Sequence, residues 1–545
     1  MTWHVTMPTE SYERAREAFE WDLPDDYNAA HDLVGKHDDP DRPALYQAFP
    51  DGRRETFTFA DLDRRSNRLA NALAELGVGR GDRVGVVLPQ VPANPVTHLA
   101  CWKLGAISMP LSVLFGPDGL GYRLDDSGAT VAVVDGNNYE TVDAAREDCP
   151  ALEHVLEVDW HGRGYHDSAT PFEPLVQDAN PIFDPVDTDP DTPGVIMYTS
   201  GSTGQPKGVL HSQSVWVGHC PAFEMYFGLD LSETVCWTPA DWAWIGALGD
   251  LLFPAWHYGR PVVGYPMEGF DPETAFELLA EFDVTSSFLP PTAIRMMMNT
   301  DADAYDLSLE AICSGGEPLT SEILGWADDE LDGVAVNELY GQTEANLLVC
   351  NCDEWFPAVP GSMGKPVPGH DVGVVDPDTG EEVAVGEVGE IAVERGDDPV
   401  IFEEYWNQPE KTAEATVESW HLTGDIGERD ADGRLWFKSR DDDLIITSGY
   451  RVGPGEVEDA ILEHPKIEQV GVVGIPDEMR GEIIKAFCQP MAGVEGNDLL
   501  AESVRSLVRE SLAKHEYPRE IEFVDELPTT TTGKIRRTDL REREE

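Results

Sequence analysis

Basic residues are scarce in this 545-residue chain: 38 Lys plus Arg stand against 103 Asp plus Glu, a formal net charge of -65. Lys is scarcer than Arg. Such a charge repels phosphate backbones and anionic headgroups, which argues against nucleic-acid or membrane-surface binding as the main task. Cysteine is sparse as well: eight residues, scattered, without a disulfide ladder, as in a reducing compartment. Cys350-Asn351-Cys352 is the only close pair, and a tetrahedral zinc site usually wants wider spacing and a second ligand pair. His211, His219 and Cys220 lie near one another in sequence, but nothing completes a ligand set, so they read as core or surface residues. No uninterrupted apolar stretch reaches the ~20 residues of a membrane span. Met1-Thr2-Trp3-His4 opens without a basic region followed by an apolar run, so no signal peptide is expected. The expectation is a soluble protein of the cytoplasm, with no low-complexity linker and no internal repeat.

What is present argues for a folded protein. Hydrophobic residues make up 41% of the chain and there are 14 Trp, enough for a large core despite the charge. At roughly 100–200 residues per domain, the length fits two to four domains. The acidic residues are spread along the chain (Asp38-Asp39, Asp125-Asp126, Asp328-Asp329-Glu330, Asp397-Asp398) and not gathered in a tail. A carboxylate-rich surface stays hydrated where salt screens its repulsion, with a Debye length of ~3 Å at molar salt. This points to an enzyme from the cytoplasm of a salt-accumulating halophile.

Helical and strand patterns alternate over most of the chain. Phe59 to Leu76 reads as an amphipathic helix with Leu62, Leu69, Leu73 and Leu76 on its apolar side, stopped by Gly77. Arg83 to Leu88 reads as a buried strand. The Gly77-Val78-Gly79-Arg80-Gly81 run precedes that strand, where a dinucleotide fingerprint would follow one, so it is a turn. Strands are also expected at Val131 to Val134, Pro261 to Tyr265, Ala311 to Cys313 and Val334 to Leu339, giving α/β layers around largely parallel sheets. From Asp371 to Phe437, short strands between Asp-Gly, Thr-Gly and Gly-Glu turns predict an antiparallel subdomain. After Arg440 follow a strand (Leu444 to Ile446), a helix (Gly455 to His464), a strand (Gln469 to Val473) and a long helix (Leu499 to Lys514). The fold class is therefore α/β: a large N-terminal domain of layered sheets with a β-rich subdomain, and a small α+β C-terminal domain.

Five motifs carry the chemistry. Tyr198-Thr199-Ser200-Gly201-Ser202-Thr203-Gly204-Gln205-Pro206-Lys207-Gly208 follows the strand-like Gly194-Val195-Ile196-Met197. Glycines let backbone amides face an anion, hydroxyls add donors and Lys207 adds charge, so the loop suits a polyphosphate. It is not a Walker A loop, because Gly208 follows the Lys where Ser or Thr is required. In Leu339-Tyr340-Gly341-Gln342-Thr343-Glu344, Glu344 offers a hard oxygen for Mg²⁺ and Thr343 a hydroxyl for a phosphate. In Thr423-Gly424-Asp425 the carboxylate can accept two hydrogen bonds from a vicinal diol such as ribose. Ser439-Arg440-Asp441-Asp442-Asp443, running on to Gly449-Tyr450-Arg451, supplies Arg for phosphate or ribose. Thr529-Thr530-Thr531-Thr532-Gly533-Lys534-Ile535-Arg536-Arg537 is a basic point in an acidic chain.

In order and spacing this set resembles the acyl-adenylate-forming superfamily of acyl-CoA synthetases, luciferases and non-ribosomal adenylation domains, over nearly the whole chain. Trp21-Asp22-Leu23-Pro24, Val209-Leu210-His211-Ser212 and Gly315-Gly316-Glu317-Pro318-Leu319 look like the acetyl-CoA and medium-chain acyl-CoA synthetase branch. The resemblance implies an AMP-forming acid-thiol ligase that uses ATP, Mg²⁺ and CoA, with an N-terminal AMP-binding domain over residues 1–440 and a mobile C-terminal domain over 441–545. Thr199, Ser200, Gly201, Ser202, Thr203, Gly204 and Lys207 would hold the β- and γ-phosphates. Gly316, Glu317 and Pro318 would line the adenine pocket, Thr343 would contact the α-phosphate and Glu344 the Mg²⁺. Asp425 and Arg440 would bind ribose, Arg451 would help hold ATP, Asp442 would be the hinge and Gly449 would border the CoA tunnel. Lys534 would be the catalytic lysine of the first half-reaction.

The acyl pocket is less legible. The resemblance places it at Trp237, Trp242 and Trp244, although these could equally be core. Acetate-specific relatives carry Trp where this chain has Gly341, so a short- to medium-chain or branched acid is expected over acetate, each further buried CH₂ gaining about 0.8 kcal/mol. Two rivals stand beside this reading. One is an adenylation enzyme that loads a carrier-protein thiol, disfavoured because no carrier-like domain follows Lys534. The other is a nucleotide-binding protein without turnover, disfavoured by the intact Lys534, Glu344 and Asp425. A P-loop ATPase is excluded by the failed Walker pattern.

Overall fold

The computed structural model describes residues 3–199, 205–317, 319–331, 333–440, 443, 445–447, 450–477, 481–491, 493–512, 517–529 and 535–543. The chain divides into two compact units, one of Met1–Val372 with Val393–His421, the other of Gly373–Ala392 with Leu422–Glu545. This partition assigns most of the antiparallel strands between 373 and 440 to the second unit, whereas the sequence expectation drew its boundary after Arg440.

In the first unit the helix predicted from Phe59 spans Phe59–Glu75. Its start is fixed by a capping box, in which Asp61 N donates to Thr58 Oγ1 and Thr58 N to Asp61 Oδ2, each at 3.1 Å. Leu62, Leu69 and Leu73 are fully buried beneath it. The strand Arg83–Val87 lies between Ile107–Pro110 and Val131–Asp135, all parallel. Val131–Asp135 is buried along its whole length, as a strand covered on both faces must be. Pro193–Thr199 joins this sheet parallel to Ile107–Pro110, and Lys207–Ser212 folds back antiparallel on it.

The second sheet of this unit aligns Cys236–Trp237, Ser286–Phe288, Ala311–Gly315 and Ala335–Gly341 in parallel. Gly315 pairs with Leu339, so the turns that follow both strands emerge at the same edge. Residues 316–317 and 342–344 therefore sit outside the carboxyl ends of parallel strands, the place where open α/β sheets bind ligands.

The second unit contains the strands Trp420–Arg429 and Leu435–Arg440, antiparallel, with Asp425 opposite Arg440. Its C-terminal part is a sheet of Tyr450–Val452, Ile445–Thr447, Gly481–Pro490 and Ile467–Asp477, with Glu520–Phe523 parallel to Gly481–Pro490. The helices Pro454–Leu462 and Asp498–Ser511 bury Val457, Ile461, Val504 and Val508 against Val470, Val472, Ile484 and Ala486. The strand Gly481–Pro490 has no counterpart in the sequence reading. Its Glu482, Lys485 and Gln489 obscure a strand whose backbone is completed by partners on both sides.

Candidate active site

The polyphosphate-type loop is closed at its base by strand register: Thr199 and Lys207 face each other across the hairpin. Ser200, Gly201, Ser202, Thr203 and Gly204 lie outside the described residues. Beyond them, the Tyr122 hydroxyl donates to Pro206 O at 3.0 Å. A short strand, Glu404–Tyr405, runs along the outer edge of Lys207–Ser212 with Tyr405 opposite Val209. That register puts the Lys207 ammonium 4.2 Å from the Tyr405 ring centroid, a cation–π contact.

The same tyrosine reaches the second motif. Its hydroxyl donates to Glu344 Oε1 at 2.8 Å, and Phe402 N donates to Glu344 O at 2.8 Å. Glu344 is 8% exposed, so its carboxylate is held on a side that water barely reaches. His211, on the strand that begins at Lys207, lies 2.7 Å from Thr343 O through Nε2. Burial lowers the His211 pKa to about 4, so the ring is neutral at neutral pH. Its proton sits on Nε2 to donate to that carbonyl, and Nδ1 is buried without a hydrogen-bond partner among the described residues. Two sequence motifs thus meet, Lys207 and His211 on one strand and Thr343 and Glu344 on one turn, with Tyr405 between them. Sequence reasoning missed Tyr405 and set His211 aside. Local pattern carries no sign of either contact.

On the adenine side, Gly316 and Glu317 follow the strand Ala311–Gly315, and Glu317 Oε2 accepts from Arg295 Nη1 at 3.2 Å. Pro318 lies outside the described residues. Leu319 N donates to Glu338 Oε2 at 3.1 Å, tying this turn to the neighbouring strand. Burial pushes the Glu338 carboxyl up to about 8, so it too is uncharged at neutral pH.

Gly341 has a different rationale from the one expected. The turn at 342–346 folds back so closely that a Cβ at 341 would overlap the Asn346 carbonyl oxygen. The strand register shifts between Tyr340 and Gly341 at this point. The glycine is required by backbone approach, and a Trp there demands a rebuilt turn and not merely a filled pocket. Trp237 and Trp242 are fully buried in the hydrophobic cores, while Trp244 is half-buried, its ring edge-on to Phe115 at 6.4 Å.

In the second unit, Arg440 Nη1 is 3.1 Å from Asp425 Oδ1, a cross-strand ion pair. Asp425 is 5% exposed and its backbone amide donates to Thr423 Oγ1 at 3.1 Å. Asp442, Gly449 and Lys534 lie outside the described residues, and of Arg451 only the backbone, in Tyr450–Val452, is described. Among the described residues, no group of three or more His, Cys, Asp or Glu gathers as a metal cluster, all eight Cys are unbridged, and no helix is long and apolar enough to cross a membrane.

Two α/β sheets, one ending in the Thr199–Lys207 hairpin and the other in the Thr343-Glu344 turn, define the layered α/β class, and comparison gives the family. Residues 35–406 match the AMP-binding enzyme family and residues 456–534 match the AMP-binding enzyme C-terminal domain, so the chain belongs to that family. It is 36% identical over 538 residues to the mitochondrial acyl-coenzyme A synthetase ACSM4 of Rattus norvegicus, covering 96% of this chain and 91% of the relative. It is 36% identical over 530 residues to the acetyl-coenzyme A synthetase of Bacillus subtilis, covering 94% and 90%. The solved anthranilate CoA ligase AuaEII with anthranoyl-AMP superposes with a TM-score of 0.85 at 27% identity, covering 96% of this chain and 98% of that one.

Proposed function

We propose that this chain is an AMP-forming acyl-CoA synthetase that joins a carboxylic acid to ATP, releasing pyrophosphate, and then passes the acyl group to CoA. The observation that carries the reading is the meeting of Lys207, Tyr405 and Glu344 beside Thr343, which brings a cation of one sheet and a hard oxygen ligand of the other together through one tyrosine. Membership of the family and similarity to acyl-CoA synthetases over nearly the full length support it.

A carboxylate attacking the α-phosphorus meets an anion, so positive charge must be placed before the bond forms. In this reading the amides and hydroxyls of residues 199–204 with Lys207 cradle the β- and γ-phosphates, and Thr343 faces the α-phosphate. The Glu344 carboxylate, oriented by Tyr405, fits a hard divalent cation. Mg²⁺ bound there would neutralise charge on the polyphosphate oxygens. Gly316, Glu317 and Pro318 receive adenine; Asp425 and Arg440 receive ribose; Arg451 helps hold ATP. Lys534 offsets charge on the transferring phosphoryl oxygens. A turn about Asp442 then exchanges Lys534 for a CoA-facing surface near Gly449. The acyl group enters beside Trp244. The acidic composition supports a cytoplasmic enzyme working in concentrated salt.

The test is isotope exchange: labelled pyrophosphate should enter ATP only when a carboxylic acid is supplied, and AMP should accumulate once CoA is added. No acid-dependent exchange with any acid offered, in concentrated KCl, rejects the proposal.

A further inference from the structure

The helix Pro117–Ser127 touches both limbs of the phosphate-type hairpin. The Tyr122 hydroxyl donates to Pro206 O at 3.0 Å, immediately before Lys207. Asp126 Oδ2 accepts from the Tyr198 hydroxyl at 2.7 Å, immediately before Thr199. Positions 122 and 126 are four residues apart, so a helix presents them on one face. One helical turn therefore holds the incoming and the outgoing strand where Thr199 and Lys207 face each other. The bond to Asp126 is charge-assisted, and burial together with that carboxylate raises the Tyr198 pKa, which keeps its hydroxyl the donor.

The packing of this helix opposes any roll or slide. Leu120 and Leu124 are fully buried in the core that also contains Ile196, Tyr198 and Leu210. Leu124 fills the space left at Gly85, where a Cβ would stand 2.9 Å from its Cδ2. Arg123, 7% exposed, lays its guanidinium 4.0 Å from the Phe115 ring centroid and 5.7 Å from that of Tyr198. The last turn reaches further, because Asp126 O accepts from Trp406 Nε1 at 3.2 Å and from Asn407 Nδ2 at 3.0 Å. Those two residues follow Tyr405, so the helix end also steadies the segment that joins Lys207 to Glu344.

A glycine- and hydroxyl-rich loop loses conformational entropy when it closes on a polyphosphate. Limbs held beforehand at a set separation reduce that cost. The gain goes to ligands that carry β- and γ-phosphates and is absent for those that lack them.

We infer that Tyr122 and Asp126 are positioning residues that act as one clamp on the phosphate-type loop, setting affinity for ATP but not for AMP. The inference rests on the reading that residues 199–207 receive the β- and γ-phosphates. It extends the site to a helix that none of the sequence motifs includes.

The experiment uses the full-length chain in concentrated KCl with MgCl₂ and three variants: Tyr122→Phe, Tyr198→Phe, which removes the donor to Asp126, and the two combined. Equilibrium binding of ATP and of AMP is measured, together with the rate of thioester formation from supplied acyl-AMP. Each single variant should weaken ATP binding roughly three- to ten-fold, the span expected for one hydrogen bond, while AMP binding and thioester formation stay at the wild-type level. Releasing either limb frees the same loop, so the combined variant should lose much less than the product of the two single losses. Unchanged ATP affinity in the single variants overturns the inference. So does equal weakening of ATP and AMP binding, which is what a loosened fold would give, and so do losses that multiply, which would mean two separate contacts and no clamp. Each of these leaves the ligase reading standing. A wild-type enzyme without acid-dependent pyrophosphate exchange sinks the ligase reading itself, and the clamp falls with it.

Discussion

Glu338 gives the most direct test of how burial sets charge beside the turn that follows Ala311–Gly315. Its carboxyl is raised from the ordinary 4.5 to about 8 by desolvation, with the Leu319 amide opposing. Between those values the folded protein binds one proton more than the unfolded chain, so stability falls with rising pH at about 1.4 kcal/mol per pH unit. The contribution is complete below 4.5, is lost as pH rises through about 8, and totals on the order of 5 kcal/mol across that window. Glu338→Gln keeps an oxygen for the Leu319 amide and cannot ionise. The variant should therefore match the wild type near pH 5, gain on it steadily toward pH 8, and hold a constant lead above. Urea unfolding of both proteins in concentrated KCl, in steps from pH 5 to pH 9, measures the difference. A gap between the two that is the same at every pH would refute a buried neutral carboxyl.

Tyr405→Phe removes the hydroxyl that Glu344 accepts; a hydrogen bond to a charged group contributes about 1.5–3 kcal/mol, so the Mg²⁺ concentration needed for half-maximal nucleotide binding should rise roughly ten-fold or more. Equilibrium nucleotide binding across a Mg²⁺ titration checks this, and an unchanged midpoint removes Tyr405 from a positioning role. Lys534→Ala should abolish acyl-AMP formation while thioester formation from supplied acyl-AMP is largely retained; equal loss of both half-reactions rejects the assigned role. With a net charge of -65, unfolding should shift to higher temperature as KCl is raised, and full stability in dilute buffer would contradict the proposed salt adaptation.

Much of the local architecture was legible from the chain itself. The helix from Phe59 follows from its leucine spacing and its Thr58–Asp61 cap, and its observed span ends within a residue of the expected one. The strands at 83, 131, 311 and 335 follow from short apolar runs with turns at both ends. The phosphate-type loop and the Thr-Glu turn were recognisable because a glycine-rich or carboxylate-bearing turn after a strand has its chemistry written in adjacent residues. The strand Gly481–Pro490 was not recognisable, since its charged residues hide a pattern that only its two flanking partners complete.

Sequence alone thus determined the acidic surface, the order of motifs and the family. Tertiary structure decided everything that depends on register and burial between distant segments. Tyr405 meets Glu344 and Lys207 only because a short strand pairs alongside Lys207–Ser212. His211 becomes a neutral donor to Thr343 only once it is removed from water. Gly341 is dictated by a carbonyl five residues ahead. Hydrogen-bonding preference and periodicity act over a few residues and are readable along the chain. Desolvation, close approach and pairing act through space, and they exist only after the chain has folded.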